Sequence, residues 1–186
     1  MELELVEPSE TFAPAWADAL RRGWSPNTER PEAAQEVLEE YELDPAGVIA
    51  TAQGDLAPDA TVTLPDGSVV PRLPGFSRWM WDGEFCGSIN VRWAPGTTDL
   101  PPHCLGHIGY AVVPWKQGRG YATAALGLVL PLAAAQGLPF VEITTDEDNV
   151  ASQKVVAANG GVLVERFTKP ATSRPGICLR WRVPLG

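Results

Sequence analysis

The chain has 186 residues, 45% of them apolar and 20% charged, the balance of a folded globular protein rather than a disordered one. Its 23 acidic side chains against 14 basic ones leave a net charge of −9. That excess argues against non-specific binding to nucleic acid or to an anionic membrane, and favours cationic or neutral partners. Three scattered cysteines (Cys86, Cys104, Cys178) without a CxxC pair, and only two histidines (His103, His107), predict neither a disulfide framework nor a metal site. Met1-Glu2-Leu3-Glu4-Leu5 lacks the regions of a signal peptide, and the apolar run 122–135 is too short for a bilayer and holds Pro131. A cytoplasmic setting is expected.

The alternation in Glu2-Leu3-Glu4-Leu5-Val6-Glu7 predicts a half-buried first strand that stops at Pro8. Ser9 is a candidate cap for a helix over 10–23, with Phe12, Trp16, Ala19 and Leu20 on one face and Gly23 as its stop. A second helix over 31–43 turns Ala34, Val37, Leu38 and Tyr41 inward and its glutamates to solvent. Residues 44–75 carry five prolines (45, 58, 65, 71, 74) and four glycines (47, 54, 67, 75), which predicts an irregular insertion: a lid, a binding loop or plain surface. Within it, Pro65-Asp66-Gly67 marks a turn between Thr61–Leu64 and Ser68–Pro71.

Asp82-Gly83 predicts a hairpin between Ser77–Trp81 and Phe85–Trp93, whose tryptophans read as sheet and core packing. Leu105–Val113 is an apolar strand ended by Pro114. A helix follows over 121–136, closed by Gly137, with Pro131 expected to kink or break it. Phe140–Thr145 predicts a strand, and Val150–Ala158 a short helix capped by Asp148 or Asn149 and stopped at Asn159-Gly160-Gly161. Val162–Phe167 and Ile177–Val183 close the chain as strands whose edges offer a surface for a homodimer. The order β-α-α-β-β-β-α-β-α-β-β has no repeat and no linker, which predicts one mixed α/β domain, of α+β type, over 1–186.

Between the strand ending at Pro114 and the helix after it lies Gln117-Gly118-Arg119-Gly120-Tyr121-Ala122. Two glycines and a helix N-terminus turn several backbone N–H groups toward one point, a ready site for a phosphate, with Lys116 and Arg119 as local positive charge. A GxxxxGK[ST] loop is absent, and the G-x-G-x-x-G fingerprint lacks its third glycine. The pattern [QR]-x-x-G-x-[GA] is met by Gln117, Gly120 and Ala122. It resembles the pyrophosphate loop of the GNAT N-acetyltransferase superfamily, which binds acetyl-coenzyme A. His107–Pro114 is similar to the family's fourth strand, and Asn149-Val150-Ala151-Ser152 to its N-x-A-S helix start. The wording is nearest to the branch with the ribosomal-protein N-terminal acetyltransferases.

The resemblance implies a GNAT-like acyl-CoA acyltransferase fold, a mixed and mostly antiparallel sheet flanked by helices. It also implies direct acetyl transfer to a primary amine of a small molecule, a peptide or a protein. In the cofactor site, Gln117, Gly118, Arg119, Gly120, Tyr121 and Ala122 would hold the pyrophosphate, Ala111 and Val112 the pantetheine, and Asn149 and Ser152 the pantetheine arm. In the chemistry, the Val112 N–H would stabilise the oxyanion and Ser152 would protonate the leaving thiolate. His107, where related enzymes often carry glutamate, is the candidate base, with Glu142 and Glu84 as weaker ones. Tyr110 and Tyr121 are reserve acids that also read as packing residues. The family's usual acid, a tyrosine seven residues after the asparagine, is Val156 here. That departure leaves open a catalytically silent acyl-CoA sensor, and the glycine turn alone also admits a nucleotide-binding enzyme.

Overall fold

A computed structural model describes residues 2–57 and 59–186. Its first sheet holds four antiparallel strands in the order β1 (Glu4–Val6), β4 (Gly75–Trp81), β5 (Phe85–Arg92), β6 (Ile108–Val112). A second sheet runs β7 (Phe140–Asp146), β9 (Ile177–Pro184), β8 (Val162–Thr168), also antiparallel. The small hairpin β2 (Thr61–Thr63) and β3 (Val69–Pro71) stands apart from both.

Helices α4 (Tyr121–Ala134) and α5 (Val150–Ala158) cover one face. There Leu126, Val129 and Val156, all fully buried, pack with Ile89, Ile108, Val141 and Ile143 from both sheets. Helices α1 (Ala13–Arg21), α2 (Ala33–Leu43) and α3 (Pro45–Gln53) cover the other face of the first sheet. Its core is aromatic, with Trp16 stacked on Trp79 at 5.4 Å between ring centres and Trp24 edge-on to Phe85 at 5.0 Å. The tryptophans therefore pack the interior. No helix among the described residues is long and apolar enough to cross a membrane.

Three local expectations are corrected. Residues 45–53 are not irregular: the Asp44 side chain caps α3 by accepting from Gly47 N, and Pro45 takes the first turn, where its missing N–H costs nothing. Ser9 caps α1 with its backbone carbonyl, which accepts from Phe12 N and Ala13 N, and not with its hydroxyl. Helix α4 is not broken at Pro131 but runs on to Ala134, because the proline removes one bond while buried Val129 and Ala133 on either side hold the helix to the core.

Two features tie distant parts of the chain together. The sheets meet beside the start of β6, where His107 N donates to Glu142 O at 2.7 Å, and the ladder does not continue along β6. From there β6 presents an open edge toward β7. The loop after α1 is tied to the loop after β8 by Glu29, whose carboxylate accepts from Lys169 Nζ at 2.7 Å and from Arg174 N at 3.3 Å. Lys169 also pairs with Asp146 at 2.6 Å, and its side chain is only 3% exposed.

Candidate active site

The glycine turn stands between a one-turn 3-10 helix at Pro114–Lys116 and the N-terminus of α4. Gly118 and Gly120 adopt φ of +75° and +81°, values an L side chain rarely takes, although open space surrounds both Cα atoms. Glycine is thus required here by backbone shape rather than by crowding. The amides of residues 118–123 make no backbone hydrogen bond among the described residues; the first paired one is Ala124 N, to Gly120 O at 3.0 Å. Six amides without a backbone partner at a helix N-terminus are the donors an anion site uses.

The turn is braced to its surroundings. Gln117 Nε2 donates to Val112 O at 3.3 Å, and Arg119 Nη2 to Trp115 O at 3.4 Å. Lys116, expected to lend charge to a phosphate, is instead buried and bonded to Asp82 Oδ1 at 2.6 Å and Glu84 Oε2 at 3.1 Å. The Tyr121 hydroxyl donates to the other oxygen of Asp82. A cleft of about 660 Å³ opens beside the turn, lined by Asp82, Glu84, Trp115, Lys116, Arg119 and Tyr121.

Along β6, alternation decides which groups reach the open edge. Val113 N donates to Cys86 O of β5, and the Ala111 carbonyl lies against Gly87 of β5. Ala111 therefore spends its carbonyl on the sheet, against the expectation that it meets the pantetheine. Val112 belongs to the opposite set: its carbonyl takes Gln117, and its N–H turns to the gap.

Side chains on β6 divide in the same way. Tyr110 and Val112 face the α4 and α5 side, and Ala111 faces the aromatic core. Gly109 lies beneath the side chains of Asn90 and Arg92 on β5, two polar groups that local patterning did not single out. The Tyr110 hydroxyl meets Ser152 Oγ at 2.6 Å, linking strand to helix. Burial pushes the Tyr110 pKa up, so the phenol keeps its proton. Asn149 caps α5, its Oδ1 accepting from Ser152 N at 3.0 Å. Val156, in place of the usual tyrosine, is fully buried in the core.

His107 is fully buried, and its Nδ1 accepts from Glu142 N at 3.0 Å. Nε2 has no partner among the described residues, and burial lowers the imidazole pKa. This placement sets His107 in the joint between the sheets, out of reach of solvent. Glu142 is clamped by Arg180 Nη1 at 2.9 Å and Arg182 Nη2 at 2.8 Å. Burial works against its charge, but these two bonds prevail and hold its carboxyl below the usual glutamate value. Glu84 is exposed at the hairpin tip and pairs with Lys116. Neither carboxylate is a free base. No cluster of three or more metal-binding side chains occurs among the described residues.

Comparison with solved structures finds the same architecture. The RimL ribosomal L7/L12 alpha-N-protein acetyltransferase in complex with coenzyme A superposes with a TM-score of 0.64 at 15% identity, over 98% of this chain and 93% of that one. The microcin C7 self-immunity acetyltransferase MccE, in complex with acetyl-CoA and AMP, gives 0.58 at 12% identity over 98% and 92%. A chimera of the spermidine N-acetyltransferase SpeG from Vibrio cholerae with hSSAT gives 0.58 at 12% identity over 100% and 97%. No curated protein sequence matches the chain. A sequence profile described as an acetyltransferase (GNAT) domain matches residues 3–162. With that match over most of its length, the chain belongs to the GNAT acetyltransferase family.

Proposed function

We propose that the protein is an acetyl-coenzyme A-dependent N-acetyltransferase that transfers the acetyl group directly to a primary amine. The observation that carries this reading is the continuity of an open strand edge with an anion turn: Val112 N–H faces the gap, and the unpaired amides of residues 118–122 follow within ten residues. A thioester with a pyrophosphate at its far end matches that spacing of one donor and then several. Gln117, Gly118, Arg119, Gly120, Tyr121 and Ala122 hold the pyrophosphate, and the free edge at Val112 takes the pantetheine.

In the transfer, the amine nitrogen attacks the thioester carbonyl carbon, and the carbonyl oxygen gains charge that the Val112 N–H stabilises. The C–S bond then breaks, and the thiolate takes a proton from Ser152; the serine regains one from water, and Tyr110, which stays protonated, holds its hydroxyl in place through their 2.6 Å contact. This pair supplies the hydroxyl that Val156 cannot. His107 serves as a positioning residue that holds β6 against β7, and the ammonium proton leaves to water. Asn149 fixes the start of α5 and with it Ser152. The similarity to enzymes named for a ribosomal protein and for spermidine supports an amine acceptor, either at a protein N-terminus or on a polyamine.

Release of free thiol from acetyl-coenzyme A, followed with a panel of polyamines and peptides, tests the reading. Turnover on at least one amine is expected. Ser152→Ala should lower kcat by about a hundredfold or more with a much smaller change in coenzyme A affinity, as for loss of a positioned acid. Tight coenzyme A binding with no turnover on any amine would instead make the protein an acyl-CoA sensor.

A further inference from the structure

Asp82 lies at the tip of the β4–β5 hairpin, 34 residues before Lys116 and 39 before Tyr121. Its side chain is only 12% exposed, yet both carboxylate oxygens are used. Oδ1 accepts from Lys116 Nζ at 2.6 Å, and Oδ2 accepts from the Tyr121 hydroxyl. Lys116 is the residue just before Gln117, and Tyr121 the residue just after Gly120. One carboxylate therefore grips both ends of the four-residue turn 117–120. We propose that Asp82 is a positioning residue for the pyrophosphate site, a clasp that holds the glycine turn with its amides converged. The proposal rests on the acetyl-coenzyme A reading given above and adds to it the part that shapes the loop.

The physical need for such a clasp follows from the turn itself. Its two glycines supply the left-handed conformations but also the widest backbone freedom of any residue, so an unanchored turn would lose order that the ligand must then restore. Hydrogen bonds at both ends remove that freedom before binding. The clasp also solves an electrostatic problem. A bare carboxylate beside a pyrophosphate would repel it, but Lys116 cancels the charge of Asp82 within hydrogen-bond distance. The two groups lock each other in their charged forms. Burial opposes the charge on both, yet the bond with Asp82 keeps the lysine above its usual pKa, and the bonds from Lys116 and Tyr121 keep Asp82 well below the carboxylate range.

Cys86 sits 3.6 Å from Lys116 Nζ, with its thiol pushed up to about 11 by burial first and by Asp82 second. It is packing under the clasp and not a nucleophile. Glu84 adds a second, exposed partner for Lys116 at 3.1 Å, so the lysine stays engaged while the ligand comes and goes.

Calorimetric titration of the intact protein with coenzyme A and, separately, with S-acetylpantetheine, which lacks the pyrophosphate, tests the clasp. Asp82→Asn keeps the size of the side chain and removes its charge, and Tyr121→Phe removes a single hydroxyl. Each should weaken coenzyme A by about tenfold or more, the scale of one charge-assisted hydrogen bond, while acetylpantetheine stays within about twofold of wild type. The double variant should be no weaker than the worse single one, because both changes open the same clasp. Equal losses for the two ligands would show a general loss of structure, and unchanged coenzyme A affinity in both variants would show an idle ion pair. Either result overturns the proposal. Wild-type protein that binds no coenzyme A at all would instead overturn the functional reading, and the clasp with it.

Discussion

Gly87 offers a test of the architecture that does not depend on any ligand. It is buried in β5 with φ of +145°, and a methyl group there would lie 2.2 Å from the Ala111 carbonyl oxygen and 2.8 Å from Val112 Cα. Both neighbours are backbone of β6, so no side chain can swing aside. Overpacking of this kind costs roughly 1–3 kcal/mol, and the strained backbone adds roughly 1–3 kcal/mol more. Gly87→Ala should therefore lose about 4 kcal/mol, of the about 5–15 kcal/mol that a domain has in total. At about 2–4 °C per kcal/mol for a chain of this size, the melting temperature should fall by roughly 8–16 °C. Gly96→Ala is the matched control, with φ of +76° and no atom within 4 Å of the added methyl. Only the left-handed backbone is penalised there, at roughly 1–2 kcal/mol, or a few degrees. Thermal unfolding followed by circular dichroism compares the two directly. If Gly87→Ala melts within about 2 °C of Gly96→Ala, the tight approach of β5 to β6 is wrong.

Gly120→Ala separates backbone shape from contact in the same way at the anion turn. With open space around it, the variant should either keep the turn and lose roughly 1–2 kcal/mol of stability, or relax it and bind coenzyme A at least about tenfold more weakly. A variant unchanged in both melting and calorimetric affinity would remove the need for a left-handed residue at that position. His107→Asn tests the buried joint between the sheets. Because burial lowers the folded-state pKa of His107 below its ordinary 6.5, the unfolded chain takes up a proton first as pH falls. The associated stability is whole above the ordinary value and is lost as pH drops below it toward the folded-state value, by at most about 1.4 kcal/mol per pH unit. Denaturant midpoints measured across that window should fall with pH in the wild type and flatten in the variant, which keeps an acceptor for Glu142 N but cannot titrate. Equal slopes in both would place the proton elsewhere.

Much of the site was legible because its determinants are local. Gly118 and Gly120 announce a turn, since positive φ is close to a glycine privilege, and Asn149 announces a helix start through a bond to a residue three places on. Asp82-Gly83 was equally plain as a hairpin tip. What it gave no sign of was the second task of that aspartate, whose partners lie on another element. Lys116 misled for the same reason: a cation beside an anion turn reads as a phosphate ligand until the long side chain is seen to reach back to the hairpin. His107 carries a pKa suited to a base in any local reading, and only the packing of β7 against it removes it from solvent. Helix α3 is masked in the sequence by the density of prolines and glycines around it, although Asp44-Pro45 is itself a helix-start signal.

The Glu29–Lys169–Asp146 ion trio has a bearing on how the chain acquires its structure in time. Glu29 and Lys169 are 140 residues apart in sequence. During synthesis the loop after α1 must wait for those 140 residues before it can dock. Closing so long a loop is entropically costly, and a contact of that range tends to form only after the folding barrier has been crossed. A contact made after that barrier slows escape from the native state without hastening arrival in it, so loss of Glu29 should speed unfolding in stopped-flow measurements and leave the folding rate unchanged.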